Sequence, residues 1–185
     1  MLHKTILMLA SIAVASCYIM GVDMGSATMK ISLVQSGKPL QIVTNAESKR
    51  KTPCVIGFYK KERLFGSNGV AILPRKPEMV YVNPYRVVGR TPDHPLVTEL
   101  TSDMYYPYEI YSDPDGGLTY FKEAGQVNVS YTPEELTAML LLHAKEQTEI
   151  FGGKTVKDCV LTIPSSFTQH EREGVYAAAA IAGLN

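Results

Sequence analysis

The chain contains no tryptophan, only five phenylalanines and three cysteines in 185 residues, and no net charge, since 18 lysine and arginine residues balance 18 aspartate and glutamate residues. A balanced chain has no global field to gather nucleic acid or an acidic membrane surface. Its densest basic stretch, Lys49-Arg50-Lys51, lies in a polar loop and reads as a solvated turn. Cys17, Cys54 and Cys159 are too few for a disulfide framework and lack metal-ligand spacing. Cys54 and Cys159 sit in strand-like apolar runs and read as small buried hydrophobes. What the chain does have is a hydrophobic content of 45% against 19% charged residues, the balance of a globular protein long enough for one ordinary core.

The N-terminus has its own anatomy. His3 and Lys4 precede an apolar run from Thr5 to Ala15, broken only by Ser11, and Ala13-Val14-Ala15 forms an A-x-A cleavage pattern. This is the layout of a secretory signal peptide, and the run is short for a membrane span. Cleavage is expected near Ala15 or Ser16, which makes residues 1–16 a signal peptide and leaves no membrane association after processing. Val14-Ala15-Ser16-Cys17 also fits a bacterial lipoprotein site with Cys17 as the lipidated residue. In a secreted chain Asn128-Val129-Ser130 becomes a glycosylation sequon at Asn128.

The remainder opens as a strand meander. Residues 18–23 and 29–35 read as strands around the turn Met24-Gly25-Ser26-Ala27, and a third strand covers 40–44 after the turn at 36–39. A polar loop over 45–52 leads into the run 53–58, followed by a short strand at 63–66 and a helical stretch at 67–73. Residues 74–95, rich in proline, read as an irregular excursion with one short helix or turn. An antiparallel patch is expected from 105–111 and 118–122 around Asp113-Pro114-Asp115-Gly116-Gly117. Its Tyr105, Tyr106, Tyr108 and Tyr111 lack the flanking basic residues of a nucleic-acid stacking platform and read as strand packing.

Two helices are signposted. Thr132-Pro133-Glu134-Glu135 is a capping box with proline at the first helical position, and Gly152-Gly153 closes that helix. Leu136, Met139, Leu140, His143, Gln147 and Ile150 share one face of it at helical spacing. A buried strand is expected over 158–163, ending at Pro164. Thr168-Gln169-His170-Glu171 is a second capping box, opening a helix that runs through Ala180 and stops at Gly183. A meander followed by helix, strand and helix predicts an α/β fold with a mixed sheet and flanking helices.

The chemistry concentrates in Gly21-Val22-Asp23-Met24-Gly25-Ser26-Ala27-Thr28. A carboxylate at the end of a buried strand, followed by a glycine-containing hairpin turn, is suited to cradle phosphate. Gly25 lets the backbone approach a polyphosphate closely, and successive turn amides can point at its oxygens. Ser26 and Thr28 add hydroxyls, and Asp23 can hold water around a magnesium ion. Four residues of this kind also recur in ordinary hairpins, so the turn alone does not decide.

Further stretches decide it. Lys51-Thr52-Pro53, Arg63-Leu64-Phe65-Gly66, Arg86-Val87-Val88-Gly89-Arg90, Leu161-Thr162-Ile163-Pro164 with Phe167, and Ala182-Gly183-Leu184-Asn185 follow the turn in order and spacing. With it, the chain resembles the heat-shock-70 chaperones over essentially all of its length past the signal. Gly25-Ser26-Ala27-Thr28-Met29-Lys30 and the loop 45–53 are most similar to the large branch of the endoplasmic reticulum (ER), the hypoxia-up-regulated, 170-kilodalton glucose-regulated chaperones. The resemblance implies an actin-like ATPase fold in which two lobes close over ATP, with residues 17–185 forming part of the first lobe. It implies ATP and Mg2+ as cofactors, with Asp23 on the magnesium side and Gly25, Ser26, Ala27 and Thr28 in the first phosphate loop. It also implies the ER lumen as compartment, with unfolded clients and heat-shock-70 or J-domain co-chaperones as partners of the full-length family.

Two departures bear on activity. Tyr85 stands where the family's catalytic lysine precedes Arg86, and tyrosine supplies no permanent cation to the γ-phosphate. No residue is therefore assigned as catalytic, although Arg75, Lys76 or Arg86 are substitutes to consider. The sequence also stops where the family continues into its second phosphate loop, adenosine pocket, substrate-binding domain and ER-retention tail. The resemblance places Arg172 near the family's docking surface for the interdomain linker and J-domain partners. The expectation is an ATP-binding chaperone with little autonomous turnover. The alternatives are an actin-superfamily small-molecule kinase, which shares the D-x-G-[ST] turn, and a non-enzymatic chaperone-interacting protein.

Overall fold

Alternation of apolar and polar residues builds the first sheet, and the computed structural model, which describes residues 18–102, 110–112, 119–122 and 130–185, shows how. Strand β1 (Tyr18–Met24) buries Met20, Val22 and Met24, while β2 (Thr28–Gln35) buries Met29, Ile31, Leu33 and Gln35. They pair antiparallel, Met24 opposite Met29 and Asp23 opposite Lys30. Period-two side-chain alternation then puts Asp23 and Lys30 together on the solvent face. β3 (Gln41–Val43) and β4 (Thr52–Pro53) both pair with β2.

The run expected over 53–58 divides at Cys54. β4 ends in the first sheet, and β5 (Val55–Tyr59) begins a second, three-stranded one. There β5 lies between β6 (Glu62–Phe65) and a strand that sequence reading missed, β7 (Val80–Val82). Helix α1 (Ser67–Ile72) links β6 to this region. The proline-rich excursion holds two 3-10 turns, Pro77–Met79 and Pro84–Val87, with β7 between them. Val80-Tyr81-Val82 is too short for periodicity to register, yet Val80 and Tyr81 are fully buried. Helix α2 (Pro95–Ser102) follows and was likewise unassigned from sequence.

β8 (Ile110–Ser112), β9 (Thr119–Lys122) and β10 (Ser130–Tyr131) form the third sheet, with Tyr111 opposite Tyr120. This agrees with the expected antiparallel patch where it is described. Tyr105, Tyr106, Tyr108 and Asn128 lie outside the described residues. An aromatic cluster joins this sheet to the second: Phe58 stacks on Tyr131 at 5.0 Å between centroids, and Tyr81 meets Phe58 edge-on at 5.6 Å. Such pairs add about 0.5–1.5 kcal/mol each beyond the area they bury.

Helix α3 (Pro133–Gly152) has the expected capping box, with the Glu135 amide donating to Thr132 Oγ1 at 3.1 Å and Glu135 Oε2 accepting from the Thr132 amide at 2.8 Å. Its buried face differs from expectation. Leu136, Thr137, Leu140, Leu141, Ala144 and Thr148 face the core, whereas Ile150 is 78% exposed. Two threonines hide this stripe from an apolar-only reading. Thr148 Oγ1 meets its own helix by donating to the Ala144 carbonyl at 2.7 Å. His143 stacks on Phe65, and burial pushes its imidazole below the usual histidine range.

β11 (Asp158–Leu161) pairs parallel with β1 and forms the sheet edge. It is shorter than expected and is not a buried strand: Val160 is 65% exposed. Exposure alternates along it, with Cys159 and Leu161 packed against the core and Asp158 and Val160 facing away. Cys159 is half-buried rather than buried, while Cys54 is wholly buried. Helix α4 (Gln169–Ile181) starts at the second capping box and packs against α3. Lys145 of α3 donates to the Gly183 carbonyl at 3.1 Å, placing a cation at the end of α4.

Candidate functional site

The turn between β1 and β2 is built from its ends inward. Gly25 closes it, its amide donating to the Thr28 carbonyl at 3.1 Å. That amide is therefore spent on the turn. The amides of Ser26 and Ala27 make no hydrogen bond within the described residues, and both residues are exposed. Two adjacent amides without a partner at an exposed turn tip are available to phosphate oxygens. A Cβ on Gly25 would lie 3.0 Å from the Thr28 carbonyl oxygen, so a larger residue there presses on the turn itself.

Cys54 braces the turn from behind. Its amide donates to the Ala27 carbonyl at 3.0 Å, and its carbonyl accepts from the Asn83 amide at 2.9 Å. The thiol points at the Gly25 carbonyl at 3.9 Å, and burial pushes it up to about 12. A protonated, buried thiol is a small packing group with a weak donor, in line with the sequence reading.

Thr162, just past β11, is the node that sequence reasoning passed over. Its amide donates to the Val22 carbonyl at 3.1 Å, and its hydroxyl accepts from the Met24 amide at 3.2 Å. The same hydroxyl donates to Asp23 Oδ1 at 3.2 Å. Lys30 donates to Asp23 Oδ2 at 2.9 Å. The Lys30 ammonium, with help from Thr162, holds the Asp23 carboxyl below the usual carboxylate range. Asp23 is thus an ionised, half-exposed, aimed carboxylate at the mouth of the turn.

Tyr85 approaches from the other side. It is 5% exposed, its ring packs on Phe167 at 5.6 Å, and its hydroxyl donates to the Thr162 carbonyl at 2.9 Å. Burial pushes its phenol up to about 12, so it stays neutral and supplies no charge. Of the substitutes considered, Lys76 lies 3.7 Å from Glu78, and no contact joins Arg75, Lys76 or Arg86 to Asp23. The cation that does touch Asp23 is Lys30. Its pairing was readable from the hairpin, because an alternating β2 opposite β1 puts residues 23 and 30 in register.

The donor set suits a magnesium–polyphosphate. Magnesium keeps several waters and takes one or two carboxylates together with substrate phosphates, so one oriented carboxylate beside free amides suffices. No cluster of three or more histidine, cysteine, aspartate or glutamate side chains forms a metal cage among the described residues. Two cavities among the described residues lie elsewhere. One of about 650 Å³ opens between the starts of α3 and α4 and includes Arg90 and Glu134, and one of about 530 Å³ lies between β11 and α4.

With this geometry in hand, comparison with known proteins is decisive about ancestry. The family model described as Hsp70 protein matches residues 19–185. The chain belongs to the Hsp70 family. Its mixed sheet with flanking helices accords with part of the actin-like ATPase fold of that family. Curated relatives share one name, "Hypoxia up-regulated protein 1". The chain is 38% identical to that of Danio rerio over 170 residues, covering 91% of this chain and 17% of the relative. It is 35% identical to that of Xenopus tropicalis over 179 residues (97% and 27%), and 34% identical to that of Homo sapiens over 166 residues (90% and 16%). The chain thus spans between about a sixth and about a quarter of the length of these relatives.

Proposed function

We propose that this Hsp70-family chain is the phosphate-binding part of a stress-responsive, ATP-binding chaperone of the ER lumen, with residues 17–185 forming part of the first lobe. Gly25, Ser26, Ala27 and Thr28 form its phosphate cradle, and Asp23 orients the water shell of Mg2+. The observation that carries this reading is the pair of amides at the exposed residues Ser26 and Ala27, without a partner within the described residues, beside an Asp23 carboxylate fixed by Thr162. Bound Mg2+ would neutralise phosphate charge there. The chain's own residues hold and orient the polyphosphate.

The same geometry favours binding over turnover. The γ-phosphate needs fixed positive charge as it transfers, and Tyr85 is neutral and already committed to Thr162. The cavities between α3 and α4 and between β11 and α4 are not lined by residues of the turn, and the site described is built for phosphate. For the 185-residue chain we expect Mg-ATP binding with a dissociation constant on the order of 1 mM, and no measurable phosphate release. Calorimetry and a phosphate-release assay check this. Micromolar affinity with hydrolysis that Asp23→Asn removes would contradict it.

The shared name of the relatives supports a role in the hypoxic stress response, in which unfolded clients and ER Hsp70 or J-domain co-chaperones would be the partners. The signal-like segment 1–16 supports entry into the secretory pathway, where Asn128 becomes available for glycosylation. N-terminal sequencing of the expressed protein should find a start near Ser16. A chain in the cytosol that begins at Met1 would overturn the compartment assignment.

A further inference from the structure

Lys30 has no place in the expected site, yet it is the residue in direct ionic contact with Asp23, at 2.9 Å. Both side chains are about half exposed, at 50% and 52%. An ion pair so exposed is weakly held, so a stronger partner for either member can break it. The pair sits where strong partners would arrive. Asp23 is the carboxylate proposed above for the water shell of the metal, and Lys30 lies on the outward face of β2, two residues from Thr28 at the cradle. Lysine carries a compact charge on a flexible stem with three donors, so its ammonium can leave a carboxylate for a nearby phosphate oxygen without backbone movement.

We propose that Lys30 is the phosphate-contacting cation of this site, exchanging its ion pair with Asp23 for a phosphate oxygen when a magnesium–polyphosphate enters. This rests on the nucleotide reading above. Before entry, Lys30 neutralises Asp23, which would otherwise repel an incoming anion beside the turn. With a magnesium–polyphosphate bound, Asp23 would hold the water shell of the metal and Lys30 would donate to a phosphate oxygen, so one weak pair would give way to two stronger contacts. Tyr85 contributes no charge, its hydroxyl being held by the Thr162 carbonyl. The exchange makes a prediction that a purely structural role for Lys30 does not. Removing its charge should weaken polyphosphate binding and tighten metal binding, two changes of opposite sign at one site.

The experiment titrates the 185-residue chain separately with inorganic tripolyphosphate and with Mg2+ alone, following the Ser26 and Ala27 amide resonances. Lys30→Met should lose about tenfold in tripolyphosphate affinity, the scale of one charge-assisted contact, and gain affinity for Mg2+. Lys30→Arg should stay within about threefold of the parent for both ligands, since it keeps the charge. An unchanged thermal midpoint for Lys30→Met confirms that the fold is intact, as expected for an exposed side chain. Parent-like tripolyphosphate affinity in Lys30→Met, with binding lost in Gly25→Val, would overturn the role of Lys30 and leave the nucleotide reading standing. Weaker tripolyphosphate binding without tighter Mg2+ binding would overturn the exchange. Absence of tripolyphosphate binding by the parent chain would overturn both proposals.

Discussion

Gly89→Val should cost about 3 kcal/mol or more in stability, the largest effect expected of any substitution outside the apolar core. Gly89 has φ +67°, a left-handed conformation that a β-branched residue adopts only with strain. A Cβ there would lie 2.5 Å from the His170 carbonyl oxygen and 2.6 Å from the Glu171 Cα. Those atoms are the backbone of the first turn of α4 and cannot swing aside. The Gly89 amide also donates to Glu134 Oε1 of α3 at 2.7 Å, and the next residue, Arg90, donates to Glu171 Oε1 at 2.7 Å. The segment Val87–Arg90 is therefore clamped between two helix N-termini. Tyr85, just before this segment, donates to the Thr162 carbonyl, so a shift here should disturb the phosphate turn as well. Urea unfolding measures the loss. Parent-like stability in Gly89→Val would mean that the close approach to α4 is wrong.

The clamp also has a signature in acid. Glu171 has a side chain only 5% exposed, and its desolvation alone would raise its pKa. The Thr168 amide and hydroxyl, with the Arg90 guanidinium, outweigh burial and leave the carboxyl below its ordinary 4.5. A depressed folded value means stability that is fully present above pH 4.5 and is lost as pH falls through the lower folded value. Glu171→Gln should flatten this acid limb, because it removes the carboxylate that pairs with the Arg90 guanidinium at 2.7 Å.

Much of this architecture was legible because local chemistry agreed with the global fold. Both capping boxes, the glycine stops and the alternation of β1 and β2 are short-range signals, and each formed as read. The misses share a cause, which is information held by residues distant in sequence. Val80–Val82 becomes a strand because β5 offers it an edge, and β11 exposes Val160 because its pairing with β1 turns Cys159 and Leu161, not Val160, toward the core. The α3 stripe misled because Thr137 and Thr148 are buried where a hydrophobicity pattern counts them as polar. At the candidate site, the turn and Asp23 were visible as a contiguous motif. Thr162 was not, because it reaches Asp23 across 139 residues of sequence, although its Leu161-Thr162-Ile163-Pro164 context had been noticed. Tyr85 was recognised as an absent lysine, and only the fold shows its hydroxyl tied to Thr162.

The second large effect is expected at Gly25. Gly25→Val should abolish saturable Mg-ATP and tripolyphosphate binding, because the branched side chain enters the cradle and pushes against the Thr28 carbonyl at 3.0 Å. Asp23→Asn should behave differently. It keeps the size of the side chain and the hydrogen bond from Thr162, while removing the charge that orients metal-bound water. Binding should then lose most of its Mg2+ dependence, with little change in folding, since Asp23 is half exposed. The contrast separates a steric requirement from an electrostatic one at positions two residues apart.

The most direct measurement of the central claim, that the Asp23–Thr28 turn is a phosphate cradle, is a two-dimensional amide NMR titration of the chain with Mg-ATP. The account predicts that the largest saturable shifts fall on Ser26 and Ala27, whose amides have no partner within the described residues, with smaller ones at Thr28 and Thr162. It also predicts that these shifts vanish in Gly25→Val. Shifts centred on the cavity between α3 and α4, around Arg90 and Glu134, with Ser26 and Ala27 unmoved at saturation, would contradict it.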